Sequence, residues 1–423
     1  MKIKVTDLSY REVMNLPEPK QKKPKKQSPF FRKLMKILSQ KEMKEISFSC
    51  TQEGMERIGK GEPCLFLMNH SSFTDLQIAA TLLSDRQYHI ICTRDGFVGR
   101  EGLRRSLGCV PTEKFVTDIR LVRDMKYCFE KLHSSILLFP EASYSFDGST
   151  TPLPDSLGKF VKMMKVPVVM IRTHGAFLRD PLYNNLKKRN VRVSCEMKLL
   201  YTADEIASAD PEAVRETLRA AFAYDHFREQ DENGIVVSEP FRAEGLERVL
   251  YRCPSCLTEG SMHGEGTTIT CSHCGKTYEL GETGRLRALE GDTEFAYVTD
   301  WYAWERGCVR RQIEAGLYRM QEEVDILILK DMKSMYRVGS GTLTHTAEGF
   351  RLTGCGGELD YFQDAALSYS LYADYYWYEI GDMISIGDHT CQYYCFPKNQ
   401  QKANVAKARL AAEELYRQAA GKR

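Results

Sequence analysis

The stretch LMNHSSFTDL, residues 67–76, places a histidine directly after an apolar run and an aspartate five residues later. A hydroxyl group is a poor nucleophile at neutral pH, and imidazole has the pKa nearest to that of a useful base. His70 could take such a proton while Asp75 orients its ring and stabilises the imidazolium. The same letters also fit a helix start, in which Ser72 caps the helix and Asp75 reaches back to it.

Strand-like and helix-like segments alternate around this motif, which predicts an α/β domain over residues 46–230. We expect a mostly parallel sheet covered by helices, with the chemistry where strands end. His70 follows one predicted strand, and FPEASYS, residues 139–145, follows another. The predicted strands are Cys64–Met68, Tyr88–Cys92, Ser135–Phe139, Val166–Ile171 and Val191–Leu200, and the predicted helices are Phe73–Leu83, Thr117–Leu132, Ser156–Lys165 and Pro211–Glu229.

Four blocks of this domain resemble, in order, those of the glycerolipid acyltransferases, the family of the bacterial 1-acylglycerol-3-phosphate acyltransferases. The family's HxxxxD motif reads NHSSFTD here, and the later blocks read GCVPTEK from Gly108, FPEASYS, and VPVVMI over residues 166–171. The resemblance covers residues 30–230. It favours the catalytic interpretation of His70, although Asp75 can orient the histidine and cap the helix together.

The resemblance implies direct transfer of a fatty acyl chain from acyl-CoA or acyl-carrier protein to a lysophospholipid hydroxyl, without a redox cofactor. His70 would be the general base and Asp75 its partner. An alternative for the lysine of the second block is a solvated surface position. The substrate-binding candidates, from the blocks or close to them, are Gly108, Lys114, Glu141, Ser143, Arg94 and Arg100.

The sequence departs from the family pattern in the block FPEASYS. Ala142 and Tyr144 stand where the family usually carries glycine and arginine, and Lys114 stands where it usually carries arginine. Losing a guanidinium removes a bidentate phosphate clamp that tyrosine cannot replace. The acceptor therefore stays open between a lysophosphatidic acid-like molecule, a lysophospholipid with a larger head group and another lipid alcohol.

Two CxxC pairs, CPSC and CSHC, are separated by fourteen residues. Four thiolates on two tight turns complete a tetrahedral zinc shell, and a shell of four cysteines is closed, which is typical of a structural site. We therefore predict a zinc ribbon over residues 249–284, preceded by a linker over 231–248. The expected zinc ligands are Cys253, Cys256, Cys271 and Cys274.

The first 48 residues carry 13 Lys/Arg and five Asp/Glu. Residues 1–28 are predicted to be a basic disordered tail, and residues 29–45 an amphipathic helix with Ser28 as its N-cap. A basic segment of this kind suits an anionic membrane surface, which residues 20–45 would contact. The alternative is a helix that packs on its own domain while the lysines keep it soluble.

Residues 285–423 are predicted to be a β-rich domain with a terminal helix over Lys402–Ala420, which resembles the pleckstrin-homology-like arrangement. Its tyrosine-rich stretch SYSLYADYYWYEI is interpreted as core packing. The 14 cysteines, without a signal peptide or a 20-residue apolar run, indicate a cytoplasmic protein that is peripheral on the inner face of the cell membrane.

Two other functions compete with an acyltransferase. The altered third block favours a catalytically degenerate lipid-binding or scaffold protein on the same fold, whereas the retained His70 and Asp75 oppose it. Nucleic-acid binding through the ribbon would need a basic surface. Glutamates at 259, 265, 279 and 282 give the ribbon the opposite charge, so no nucleic-acid partner is expected.

Overall fold

The computed structural model describes residues 2–115, 118–400 and 405–421. Residue 1 of the predicted tail and residues 117 and 402–404 of two predicted helices lie outside these ranges. The first described elements are β1 (Val5–Asp7), α1 (Tyr10–Met14) and α2 (Pro29–Glu45).

The prediction of a disordered tail over residues 1–28 was wrong: its first half forms β1 and α1, and in its second half Gln27 is buried and donates to the carbonyl of Leu107 at 3.1 Å. Strand β1 pairs in parallel with residues 335–337, more than 300 positions away. Ser9 and Glu12 form a capping box at the start of α1, and Val13 is fully buried. A tail that is too polar to fold alone is ordered here because a distant sheet edge supplies its hydrogen-bond partners.

The α/β region contains a seven-stranded sheet in the order β2-β8-β7-β3-β6-β4-β5. Among the described strand pairs of this sheet, β7 and β8 alone are antiparallel, which confirms the predicted mostly parallel sheet. The strands are β2 (Ser49–Glu53), β3 (Leu65–Met68), β4 (Tyr88–Thr93), β5 (Cys109–Thr112), β6 (Ser135–Leu138), β7 (Val168–His174) and β8 (Ser194–Tyr201). The helices are α3 (Asp75–Leu82), α4 (Glu101–Ser106), α5 (Ile119–Glu130), α6 (Leu157–Met164), α7 (Ala176–Arg179), α8 (Ala203–Ser208), α9 (Pro211–Ala221) and α10 (His226–Glu232).

Central strand β3 explains how the sheet positions the HxxxxD motif. Its four apolar side chains are fully buried and alternate between two cores. Leu65 and Leu67 pack on one face, whereas Phe66 and Met68 pack on the other. Since both faces are covered, the strand has no freedom to slip, and the chain leaves the sheet directly before His70.

A small antiparallel sheet follows, in the order β12-β11-β10-β9. The preceding residues 231–248 are not a free linker, because Ala243 and Leu246 are fully buried and Tyr183 donates to the carbonyl of Arg242 at 3.0 Å. The strands of this ribbon are β9 (Met262–Glu265), β10 (Thr268–Cys271), β11 (Thr277–Leu280) and β12 (Leu286–Ala288).

The last region is mainly β, as predicted, and has the order β16-β15-β14-β13-β19-β18-β17, with β1 beside β14. Its seven antiparallel strands are followed by one helix, and the pleckstrin-homology-like arrangement stays a prediction. Its elements are α11 (Val298–Glu314), β13 (Met320–Leu329), β14 (Met335–Thr346), β15 (Gly349–Gly354), β16 (Leu359–Asp364), β17 (Tyr372–Trp377), β18 (Gly381–Gly387), β19 (Gln392–Pro397) and α12 (Val405–Gly421). Across the described ranges, every helix is too short or too polar to span a bilayer.

Candidate active site

His70 and Asp75 form a hydrogen-bonded pair at the carboxyl end of β3. The Nδ1 atom of His70 lies 3.1 Å from Oδ2 of Asp75. The same carboxylate oxygen accepts the backbone N–H groups of Ser71 at 2.9 Å and Ser72 at 3.1 Å. Asp75 therefore orients the imidazole and holds the turn that leads into α3. The predicted cap at Ser72 was wrong, because the N-cap of α3 is Thr74 and no described side chain caps this helix. Because Nδ1 faces Asp75, Nε2 is the ring nitrogen left for proton transfer.

Burial sets the protonation of this pair. Burial lowers the pKa of His70 well below 6.5, and the nearby charge of Lys114 lowers that pKa further. Burial also raises the pKa of Asp75 to about 7, while the N–H groups of Ser72 and Ser71 oppose that rise. His70 is thus neutral at neutral pH, which is the form that a general base requires.

Glu141 holds the backbone of His70 and does not reach the substrate space. Its Oε2 accepts the N–H of His70 at 2.9 Å. Its Oε1 accepts the N–H and hydroxyl of Thr151, at 2.9 and 3.0 Å, and the hydroxyl of Tyr224 at 2.8 Å. Burial raises the pKa of Glu141 to about 7. We therefore correct the prediction that Glu141 binds the acceptor, because its carboxylate is used to position the base.

The His70 ring lies between two aromatic side chains. Its centre is 4.3 Å from that of Phe139 and 3.9 Å from that of Tyr144. Tyr144 also stacks on Phe73, with a ring-centre distance of 5.3 Å. The residue that replaces the family's arginine therefore covers one face of the histidine. Ala142, in the family's glycine position, has a φ of 55°.

His70 lines a cavity of about 1000 Å³ between the α/β region and the C-terminal sheet. We call this space the large cavity. One wall comes from β4, α5 and the segment 138–144, and the opposite wall comes from residues 366–379. The tyrosine-rich stretch, interpreted from the sequence as core packing, supplies part of this second wall through Tyr369, Tyr372 and Trp377.

Lys114, which is predicted to bind the acceptor's phosphate, lines the large cavity, where its charge is met by the protein. Its Nζ lies 3.7 Å from the centre of the Tyr372 ring. Burial lowers the pKa of Lys114, whereas the carboxylates of Asp95 and Asp374 raise it. Tyr372 in turn donates to Asp95 at 2.7 Å. The lysine is therefore surrounded by an aromatic ring and two acids, and it is not a solvated surface residue.

The structure does not bring four other candidates to the cavity wall. Gly108 has a φ of 83°, and a side chain there would meet the carbonyl of Tyr88 at 2.9 Å, so its function is to form a turn. Ser143 is buried beside the cavity. Arg94 pairs with Glu113 and donates to the carbonyl of Lys330 at 3.0 Å. Arg100, the residue directly before α4, is exposed. A cation that sequence reasoning missed, Arg104, does line the cavity.

The four predicted metal ligands converge. The sulfurs of Cys253, Cys256, Cys271 and Cys274 all lie within 4.8 Å of one another. Two of the distances, Cys253 to Cys274 and Cys256 to Cys271, are 3.7 Å. Tetrahedral thiolate bonds of about 2.3 Å to zinc require sulfurs about 3.8 Å apart. The donor set and its spacing therefore fit a four-coordinate metal ion.

Comparisons with known proteins address the α/β region. Residues 49–173 match the family model described as Acyltransferase. No curated protein matches the chain. The crystal structure of the 1-acyl-sn-glycerophosphate (LPA) acyltransferase PlsC from Thermotoga maritima is similar over 45% of this chain and 77% of its own, with 17% identity and a TM-score of 0.34. The stretch from residue 49 to residue 173, which contains His70, Asp75 and the third block, is thus an Acyltransferase-family domain.

Proposed function

We propose that this protein transfers a fatty acyl chain from acyl-CoA or acyl-carrier protein to the hydroxyl of a lysophospholipid. The observation that carries the proposal is the His70–Asp75 pair, which opens onto a cavity of about 1000 Å³ with an apolar and aromatic wall. Ile90, Leu121 and Leu138 belong to that wall and suit a hydrocarbon chain.

In the proposed reaction, Nε2 of His70 takes the proton of the acceptor hydroxyl as its oxygen attacks the thioester carbonyl carbon. The carbon–sulfur bond then breaks, and the proton passes from His70 to the departing thiolate. Asp75 stabilises the imidazolium between these steps. No covalent bond to the protein is needed.

The charged residues around the large cavity favour one kind of acceptor head group over another. Of the described residues that line the cavity, two are basic, Arg104 and Lys114, whereas six are acidic: Asp95, Glu113, Asp118, Asp155, Asp374 and Glu379. A phosphomonoester carries close to two negative charges and would be repelled here. This balance favours a lysophospholipid whose phosphate is part of a larger head group.

Helix α2 supports the proposed contact with an anionic membrane surface. Phe30, Ile37 and Leu38 are 69%, 51% and 63% exposed, which is unusual for three large apolar side chains on one helix. Replacing all three by serine should weaken sedimentation with anionic vesicles, and unchanged sedimentation would count against this contact. The inner face of the cell membrane is the proposed location.

The four cysteines are proposed to hold a structural zinc ion. Their site is closed by four thiolates, which leaves no position for a substrate. The acyl transfer would thus need neither this ion nor a redox cofactor for its chemistry.

The test is transfer of a radiolabelled acyl chain from both donors to a panel of lysolipids. His70→Ala should lose activity by at least about a hundredfold, because it removes the general base. His389→Ala, an exposed histidine outside the site, is the control. Full activity in His70→Ala would overturn the mechanism. Absence of transfer with every acceptor, together with tight lipid binding, would favour the scaffold function, to which the stacking of Tyr144 on His70 lends support.

A further inference from the structure

A second, smaller cavity of about 250 Å³ adjoins the large one. The two share five lining residues, Pro154, Asp155, Leu157, Tyr369 and Tyr416. Three of its other lining residues are arginines: Arg215 and Arg219 on α9, and Arg417 on α12. We call this space the arginine cavity. We infer that it binds the phosphate end of the phosphopantetheine arm of the acyl donor, an inference that rests on the proposed function.

The charge of the two cavities is opposite. Among its described lining residues, the arginine cavity has three arginines and one carboxylate, Asp155, whereas acidic residues outnumber Arg104 and Lys114 by six to two around the large cavity. A thioester donor is anionic at its phosphate end and apolar at its acyl end. The pair of cavities therefore matches the two ends of one donor molecule.

The arginine cavity also abuts the residues that hold the catalytic base. Thr151 lines it and donates its N–H and its hydroxyl to Glu141. Glu141 in turn accepts the N–H of His70 at 2.9 Å. A wall residue of the arginine cavity thus bonds directly to the group that holds the backbone of His70. The way from the arginine cavity to the His70 ring itself runs through the large cavity, past the five residues that the two cavities share.

The arginines can exchange their present partners for phosphate. Arg219 pairs with Glu216 across a turn of α9, and its side chain is 63% exposed. Arg417 is 51% exposed and pairs with Glu414, which keeps Arg306 and Arg310 as partners if Arg417 leaves. Exposed ion pairs of this kind contribute little stability, whereas a guanidinium binds phosphate with two parallel hydrogen bonds.

Arg215 adds an independent observation. Within the described part of the chain, its buried Nε atom has no hydrogen-bond partner. A buried donor of this kind usually has a partner in the functional state. The Arg215 side chain is 34% exposed and pairs with Glu212, so reaching a phosphate oxygen in the arginine cavity requires its guanidinium to leave that carboxylate and turn.

The experiment measures KM for three donors with the full-length protein: palmitoyl-CoA, palmitoyl-acyl-carrier protein and palmitoyl-pantetheine, which has no phosphate. The variant is Arg219→Gln/Arg417→Gln. Its matched control is Arg287→Gln/Arg351→Gln, two exposed arginines that each pair with one carboxylate away from both cavities. We expect KM for a phosphorylated donor to rise about tenfold in the variant, because charge-assisted contacts to phosphate are lost.

The three donors separate the possible outcomes. A rise with every phosphorylated donor that the wild type uses supports the inference, because it assigns the phosphate that the two donors share. A rise confined to one of two working donors overturns it, because the arginines would then contact a group that the other donor lacks. An unchanged KM with both, or an equal rise with palmitoyl-pantetheine, overturns it.

A binding measurement separates failure of this inference from failure of the proposed function. Isothermal titration of free CoA and of holo-acyl-carrier protein needs no acceptor and no turnover. If no lysolipid is acylated but the variant binds one of these ligands about tenfold more weakly than the wild type, the cavity assignment stands and the function fails. Equal binding by the variant, or no binding by the wild type, overturns the assignment.

Discussion

The large cavity has two walls that come from very different parts of the chain. The wall around His70 is made by one region of the chain, residues 70–160, whose segments follow neighbouring strands of one parallel sheet. The opposite wall is made by residues 366–379, about 300 positions later in the chain. The first wall carries the groups for proton transfer, and the second carries aromatic rings and Asp374. The groups proposed for proton transfer thus come from one region of the chain, whereas the shape of the cavity depends on residues about 300 positions later.

The largest effect is expected from disrupting the zinc ribbon, whose buried residues share one hydrophobic core with both the α/β region and the C-terminal sheet. Buried ribbon residues Ile269 and Tyr278 belong to one hydrophobic core with Phe177 of the α/β region and Tyr375 of the C-terminal sheet. Replacing Cys256 and Cys274 by serine should release zinc, lower the free energy of unfolding by several kcal/mol and abolish transfer. Zinc content, thermal unfolding and activity are the measurements. Cys355→Ser is the control, and unchanged stability of the double variant would contradict a structural metal.

Asp75→Asn tests the first wall alone. We expect a loss of about a hundredfold to a thousandfold in kcat, because the amide cannot stabilise the imidazolium. The pH profile should change as well. Burial raises the pKa of Asp75 to about 7, so wild-type kcat/KM should rise with pH through about 7 as the carboxylate ionises.

The low pKa of His70 keeps its ring neutral over that window. The rise near pH 7 should therefore be absent from Asp75→Asn and present in Asp85→Asn, an exposed aspartate of the same domain. A rise near pH 7 that persists in Asp75→Asn would assign it to another group.

Tyr372→Phe tests the second wall. The change removes the 2.7 Å hydrogen bond to Asp95 but keeps the ring over Lys114. We expect KM for the acceptor to rise about threefold to tenfold while kcat stays nearly constant, as for the loss of one hydrogen bond to a charged group. Tyr336→Phe, which removes a 3.0 Å hydrogen bond to Asp331 in the same region, is the control. A fall in kcat without a rise in KM would contradict this expectation, because it would assign Tyr372 a role in proton transfer together with His70.

The smallest effect is expected at Ala142. Its φ of 55° is a conformation that glycine adopts without strain, so Ala142→Gly should raise the free energy of unfolding by about 0.5–1 kcal/mol. Ala303→Gly, at an exposed position inside α11, should change stability in the opposite direction by about 1 kcal/mol. Chemical denaturation of both variants measures the difference, and a loss at both positions would contradict strain at Ala142.

Sequence reasoning found the features that depend on near neighbours. The apolar run before His70 predicted a buried strand because burial on both faces requires apolar side chains at every position. His70 and Asp75 were singled out by the resemblance of four ordered blocks to the glycerolipid acyltransferases, and the four cysteines by the spacing of two CxxC pairs. Phosphate binding by Lys114 stays a prediction, and neither of its acidic neighbours, Asp95 and Asp374, could be foreseen.

The missed features depend on contacts across long sequence separations. Glu141 was expected at the substrate, yet its partners Thr151 and Tyr224 turn it inward. The single helix predicted over Pro211–Glu229 is two helices, because Asp225 caps a second one. The aromatic stretch near Tyr372 has the composition of a core strand, and composition alone cannot distinguish a residue that fills a core from one that lines a cavity.

The short strand at the start of the chain has a consequence for how the protein is made. Val5 cannot find its partner Met335 until that residue has left the ribosome, which at 5–20 residues per second takes roughly 20 to 60 seconds. Residues 366–379 emerge later still. During synthesis, the proposed catalytic pair, His70 and Asp75, can be complete on a chain that still lacks one wall of the large cavity. The growing chain is therefore expected not to bind or acylate lipids until the C-terminal sheet has folded over the site.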